Sequence, residues 1–223
     1  MRTIGVVRTP FPAKFGVPRQ AGMVPEAAGE IVLDPEFGPE AVEGLEGFSH
    51  LWVVFLFDRV DDGEARTRVR PPRLGGNDKV GVFATRSPFR PNRIGLSAVR
   101  LDRVRTGKEG AILAVSGVDL VDGTPLLDIK PYLPYADRVE GATGAFADKP
   151  PERMEVAVAD AATAGFTALP EAARDLITAT LAWDARPAYH EGERVYHTAM
   201  AGVEVDWEIR DGTCRILGLR ESS

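Results

Sequence analysis

Over its first 140 residues the chain alternates short apolar stretches with turns rich in Gly and Pro, and helical periodicity is almost absent. Ile4 to Thr9, Glu30 to Leu33, Val80 to Ala84, Ile94 to Val104, Ala111 to Val118 and Leu126 to Ile129 each read as strands. Leu51-Trp52-Val53-Val54-Phe55-Leu56-Phe57 is an unbroken apolar run, too short for a typical helix and rich in β-branched and aromatic side chains. It predicts a central, fully buried strand. Many short strands with turns between them predict a β-barrel or sandwich, and closure into a barrel removes exposed edges. The pattern then changes. Residues 141 to 170 read as a connector with one strand, Met154 to Val158, and Pro170 to Leu181 reads as a helix with Pro in its first turn and acids near its start. Val195 to Met200, Val203 to Ile209 and Cys214 to Leu219 follow as strands. The predicted architecture is mainly β, with an N-terminal β-barrel over residues 1–140 and a connector plus small α+β domain over 141–223.

At 223 residues, with 44% hydrophobic and 27% charged side chains, the chain can bury one substantial core and a smaller second one. No uncharged apolar run approaches the ~20 residues needed to span a bilayer, and the N-terminal apolar stretch is too short for a signal peptide, so a cytoplasmic protein is expected. The single cysteine, Cys214, excludes an intrachain disulfide and a thiolate metal cluster, and is expected in strand packing. The net charge of −6 is unevenly placed. Residues 66 to 105 hold eleven Lys and Arg against two acids, whereas residues 141 to 223 hold eight against fourteen. A cationic band on an acidic protein still steers an anionic partner, so RNA stays open.

Familiar catalytic frameworks are missing. The histidines His50, His190 and His197 show no metal-ligand spacing, and neither a P-loop, a Rossmann fingerprint nor a G-x-S-x-G elbow occurs. His50, in Gly47-Phe48-Ser49-His50-Leu51-Trp52, reads either as a strand cap or as a proton acceptor. Gly75-Gly76-Asn77 reads as a plain turn, or as a loop that wraps a phosphate. The most distinctive segment is Thr85-Arg86-Ser87-Pro88-Phe89-Arg90-Pro91-Asn92-Arg93, a proline-stiffened loop of arginines between two apolar runs. Such a loop loses little entropy on holding a ligand, and arginine suits carboxylate and phosphate. Val17-Pro18-Arg19-Gln20, Arg70-Pro71-Pro72-Arg73, Ser116 to Pro125 and Asp184-Ala185-Arg186-Pro187-Ala188-Tyr189 repeat that style of rigid loops with polar side chains.

Taken in order, these segments, together with Ile4 to Pro10 and Asp119 to Tyr132, resemble the TrmO (YaeB/TsaA-like) family of tRNA methyltransferases over nearly the whole chain. The resemblance implies a β-barrel enzyme that uses S-adenosylmethionine, with a small C-terminal domain. It implies a homodimer that methylates N6-threonylcarbamoyladenosine beside the tRNA anticodon. By resemblance, cofactor contacts fall on Pro18, Arg19, Gln20, Phe57, Asp58, Arg86, Leu96, Ser116, Gly117, Val118 and Asp119. Arg86 or Arg19 is expected on the methionine carboxylate or the substrate's threonyl carboxylate, Asp119 on the ribose or amino group, and Phe57 and Leu96 beside the adenine. His50, Asp184 and Tyr189 are the candidate proton acceptors. Arg70, Arg73, Arg90, Arg93 and Arg186 are the candidate tRNA contacts, with no metal expected. A barrel that binds S-adenosylmethionine or RNA without turnover, and a small-molecule methyltransferase, are the alternatives of different class.

Overall fold

The computed structural model describes residues 2–60, 65–74, 78–107, 110–186 and 194–221. Six antiparallel strands close a barrel in the order β1 (Gly5–Arg8), β2 (Ala28–Leu33), β7 (Gly110–Ser116), β6 (Ile94–Gly107), β3 (His50–Leu56) and β8 (Thr124–Pro131). Between β3 and β6 lies a small ribbon of β4 (Arg68–Val69) and β5 (Val80–Gly81). Closure pairs β1 with both β2 and β8, so these six strands leave no free edge between them. A short helix, α1 (Pro134–Asp137), follows.

The interior is filled by alternate residues. Val7, Ile31, Leu51, Val53, Val99, Leu113, Val115 and Leu126 are all nearly inaccessible. Leu51 to Phe57 was expected to be buried throughout, and instead the strand ends at Leu56 and alternates, with Leu51, Val53 and Phe55 inside and Trp52, Val54 and Leu56 on the half-covered outer face. The outer face is apolar too, which hides the period of two from the sequence. Gly95 sits where β6 passes the ring of Phe55, and a Cβ there would meet that ring at 2.2 Å. The glycine therefore makes room for Phe55, whose ring stands edge-on to Phe57 with centroids 5.0 Å apart.

The C-terminal sheet has the order β10 (Tyr196–Met200), β11 (Val203–Arg210), β12 (Thr213–Glu221) and β9 (Val156–Val158), with β9 parallel to β12. Helices α2 (Asp160–Ala168) and α3 (Glu171–Leu181) accompany it, the latter burying Leu176, Ile177 and Leu181. Helix α2 was not expected. Its Ala, Thr and Gly residues carry too faint an apolar stripe to read from sequence, and only Ala162 is fully buried. Cys214 packs inside the sheet as expected, and burial pushes its thiol up to about 12, with the Asp184 charge adding to the shift. Among the described residues no helix is long and apolar enough to cross a membrane.

The loop between β1 and β2 leaves the barrel and enters the C-terminal sheet. Phe15 stacks on Trp207 with centroids 6.2 Å apart and lies 6.1 Å from Tyr196. Gly16, at φ +95, touches Thr198 so closely that a Cβ would sit 2.2 Å from its methyl group. Ala201 N–H donates to the Pro10 carbonyl at 3.1 Å, and the Trp183 indole donates to the Met23 carbonyl at 2.8 Å. Residues 15 to 24 are thus held at both ends by the C-terminal half.

Candidate active site

The held loop carries Pro18-Arg19-Gln20, and it meets three other segments. Arg19 reaches the far side and donates through Nη2 to the carbonyls of Asp184 (3.0 Å) and Arg186 (2.8 Å). Gln20 accepts from Arg86 Nη1 at 2.6 Å and donates to the Arg19 carbonyl. The fourth segment follows β7. Gly117, at φ +76, lies against Gly22, whose N–H donates to the Gly117 carbonyl at 2.9 Å. This close approach brings Asp119 beside Ala21. The half-buried carboxylate of Asp119 accepts a 2.6 Å hydrogen bond from the Ser97 hydroxyl. Burial pushes its carboxyl above the ordinary carboxylate range, against the pull of the Ser97 and Ala21 hydrogen bonds and the Arg86 charge. Arginine, amide and carboxylate from three loops therefore converge at one end of the barrel.

Asp184 and Arg186 form a second pair. The guanidinium donates through Nε to Oδ1 (2.8 Å) and through Nη2 to Oδ2 (2.9 Å), a bidentate fork, with Asp184 itself at φ +49. Partial burial acts to raise the Asp184 carboxyl, but the Arg186 hydrogen bonds and charge, with Arg19, hold it below the ordinary range. Beside this pair a pocket of about 240 Å³ opens between Phe15, Val17, Pro18, Thr180, Trp183 and Arg186.

Other expected site residues lie on β3, on β6 and on the segments that follow β3 and β7. Phe57 and Asp58 follow β3; Phe57 is half-buried, its N–H donating to the Arg93 carbonyl at 2.8 Å, and Asp58 is exposed. Leu96 points outward from β6 and is half exposed, opposite Val54. Ser116 and Val118 flank Gly117, with Val118 buried. His50 is exposed at the start of β3, opposite Arg100, and its Nδ1 lies 2.9 Å from Ser49 Oγ; the strand register places it three residues from the partner of Ser97, outside the arginine cluster. Val80 to Ala84, expected as one strand, pairs only at Val80 and Gly81 before Val82–Ala84 turn as a 3₁₀ helix. Two of the tRNA candidates are spent on the protein's own backbone. Arg90 donates to the carbonyls of Val82 (3.4 Å) and Thr85 (3.0 Å), and Arg93 to that of Val60 (3.2 Å). Arg70 is exposed. Tyr189, His190 and the Gly75-Gly76-Asn77 turn lie outside the described residues, as does the side chain of Arg73. Among the described residues no cluster of His, Cys, Asp or Glu could hold a metal ion.

The family model of the tRNA-methyltransferase O N-terminal domain matches residues 6–138, and that of the TrmO C-terminal domain matches residues 151–222. The chain belongs to the TrmO family. It is 44% identical over 233 residues to the tRNA (adenine(37)-N6)-methyltransferase of Escherichia coli, covering 97% of this chain and 95% of that relative. A putative S-adenosylmethionine-dependent methyltransferase of Pseudomonas aeruginosa, RcsF, is 45% identical over 211 residues, 92% of this chain and 90% of its own. The crystal structure of TrmO from Pseudomonas aeruginosa superposes with a TM-score of 0.80 at 38% identity, covering 98% of this chain and 96% of that one. One residue of this TrmO-family cluster escaped the sequence reading. Ser97 faces inward between Gly95 and Val99, and a lone hydroxyl at an inward position of an apolar strand is the signal that could have found it.

Proposed function

We propose that this chain transfers a methyl group from S-adenosylmethionine to N6 of N6-threonylcarbamoyladenosine at position 37 of tRNA. The observation that carries the reading is the full-length likeness to tRNA (adenine(37)-N6)-methyltransferases, with the Gln20, Arg86 and Asp119 cluster in place. The donor set fits the cofactor: an amino acid carboxylate asks for a guanidinium, and a ribose or an ammonium asks for a carboxylate. In this reading Arg86, or Arg19, takes the methionine carboxylate and Asp119 the ribose or amino group, while Pro18, Ser116, Gly117 and Val118 supply backbone. Phe57 and Leu96 border the adenine, and Asp58 contributes main chain.

When bound, S-adenosylmethionine supplies a sulfonium methyl that passes to N6 as the C–S bond breaks and the N–C bond forms, releasing S-adenosylhomocysteine and a proton. The acceptor nitrogen is a weak nucleophile because its lone pair is delocalised into purine and carbonyl. Alignment of the two reactants is therefore the main contribution of the protein. Arg186, held in one orientation by Asp184, grips the acceptor nucleotide, and this makes Asp184 a positioning residue. A carboxylate held at low pKa is a weak base, so His50 and Tyr189 are the acceptors to test.

The apolar outer face of the barrel supports a homodimer. Trp52, Val54 and Leu96 are neighbours there, and Tyr132 packs 5.5 Å from Trp52. A cofactor resting on half-exposed Leu96 also needs cover that one copy does not give. We assign the barrel to residues 1–140, the C-terminal unit to 141–223, and the protein to the cytoplasm. The deciding experiment supplies labelled S-adenosylmethionine with tRNA carrying or lacking threonylcarbamoyladenosine. Methyl gain on that nucleoside alone is expected; cofactor binding without transfer to either tRNA would overturn the reading.

A further inference from the structure

We propose that Phe83 is a stacking platform for an unpaired base of the tRNA, held out by an arginine-braced turn; this rests on the tRNA reading above. Phe83 is 79% exposed, whereas its neighbour Val82 is 3% exposed. The turn that presents it is firmly built. Val82 N–H donates to the Thr67 carbonyl at 3.0 Å, and the Val82 carbonyl accepts from Thr85 N–H and Thr85 Oγ1 at 3.1 and 2.7 Å. Arg90 adds its donations to the Val82 and Thr85 carbonyls from beneath. An apolar ring on a rigid turn presents its π-face at little entropic cost, which is what a stacking platform requires.

The surroundings select the partner. Arg66, Arg68, Arg70, Lys79 and Arg86 are all exposed on the same ribbon and loop. The Arg66 guanidinium already sits over Phe89, 4.1 Å from the ring centroid, and so does not cover Phe83. Aromatic side chains interleaved with cations match single-stranded RNA, whose bases stack while its phosphates pair with guanidinium groups. A second copy of the chain would oppose like charges on this face. Tyr135, at 88% exposure, is as accessible as Phe83, but it lies on α1 next to Asp137 and outside the basic band. Phe83 is also three residues from Arg86, at most about 11 Å of extended chain, so its base would neighbour the nucleotide being methylated.

The test is a comparison of Phe83→Ala, Phe83→Trp and the wild type in full-length protein. It reads KM and direct affinity for tRNA, affinity for S-adenosylmethionine, and mass in solution. Phe83→Ala is expected to weaken tRNA binding roughly 5- to 100-fold. Cofactor affinity and the salt slope of tRNA binding stay unchanged, and Phe83→Trp binds tRNA as the wild type does. Unchanged tRNA affinity in Phe83→Ala would overturn the proposal, and so would a dimer that dissociates in that variant, which would make Phe83 a protein contact. If the wild type binds tRNA without transferring a methyl group, the function fails while the binding comparison still decides the role of Phe83. If it binds no tRNA, both fail.

Discussion

At Asp119 stability and the proposed cofactor role pull in opposite directions. Its carboxyl is raised by burial, so ionising it costs the folded state more than the unfolded one. Stability from this group is lost as pH rises from the ordinary carboxylate value through the raised one, and the loss persists at neutral pH. Asp119→Asn is therefore expected to raise Tm at pH 7 and not at pH 3, while weakening S-adenosylmethionine binding; thermal melts at both pH values with a cofactor titration check it. Arg86 carries a charge-assisted contact, and Arg86→Ala should weaken the cofactor about 10- to 100-fold by calorimetry. Asp184 behaves in the opposite sense to Asp119. Its lowered carboxyl stabilises the fold above the ordinary range and ceases to do so as pH falls through its folded value. His50 stands outside the arginine cluster, so His50→Ala is expected to keep the wild-type rate; a large fall in kcat with cofactor and tRNA affinity intact would restore it as the proton acceptor.

Among the elements, the loop between β1 and β2 couples packing to chemistry. Phe15 anchors it against Trp207 and Tyr196, and Phe15→Ala should cost about 2 kcal/mol of stability, because the ring is half-buried, and weaken the cofactor as well. Parallel denaturation and cofactor titrations would separate the two effects. The barrel strands were legible because their ends coincide with turn residues, as at Asp122-Gly123, where the Asp122 side chain accepts from Thr9 N–H at 3.0 Å. The burial pattern of Leu51 to Phe57 was not, since a barrel wall that is apolar on both sides shows no period. Nor was the role of Arg90 and Arg93: an arginine-rich loop reads as a ligand site whether its guanidinium groups face an anion or their own backbone. The meeting of the loops that carry Gln20, Arg86 and Asp119 was not legible either, because sequence spacing says nothing of which loops a closed barrel brings together.

For the whole molecule, the uneven charge predicts behaviour that net charge conceals. With the basic residues concentrated between 66 and 105, tRNA affinity should fall steeply with added salt although the protein carries −6 overall. Arg70→Ala should reduce the log–log salt slope by nearly one. The outer face of Trp52, Val54 and Leu96 predicts a dimer of twice the chain mass in light scattering at micromolar concentration, and a monomer would refute it. The loop carrying Arg19 and Gln20 has a further effect on how the enzyme fails. Because Phe15, Gly16 and Trp183 fasten it to the C-terminal sheet, its shape depends on a unit that takes no part in closing the barrel. Warming that loosens the smaller unit would release Arg19 while the six strands remain closed, so on the cofactor role proposed for Arg19 methylation would stop below the melting temperature of the barrel and return on cooling.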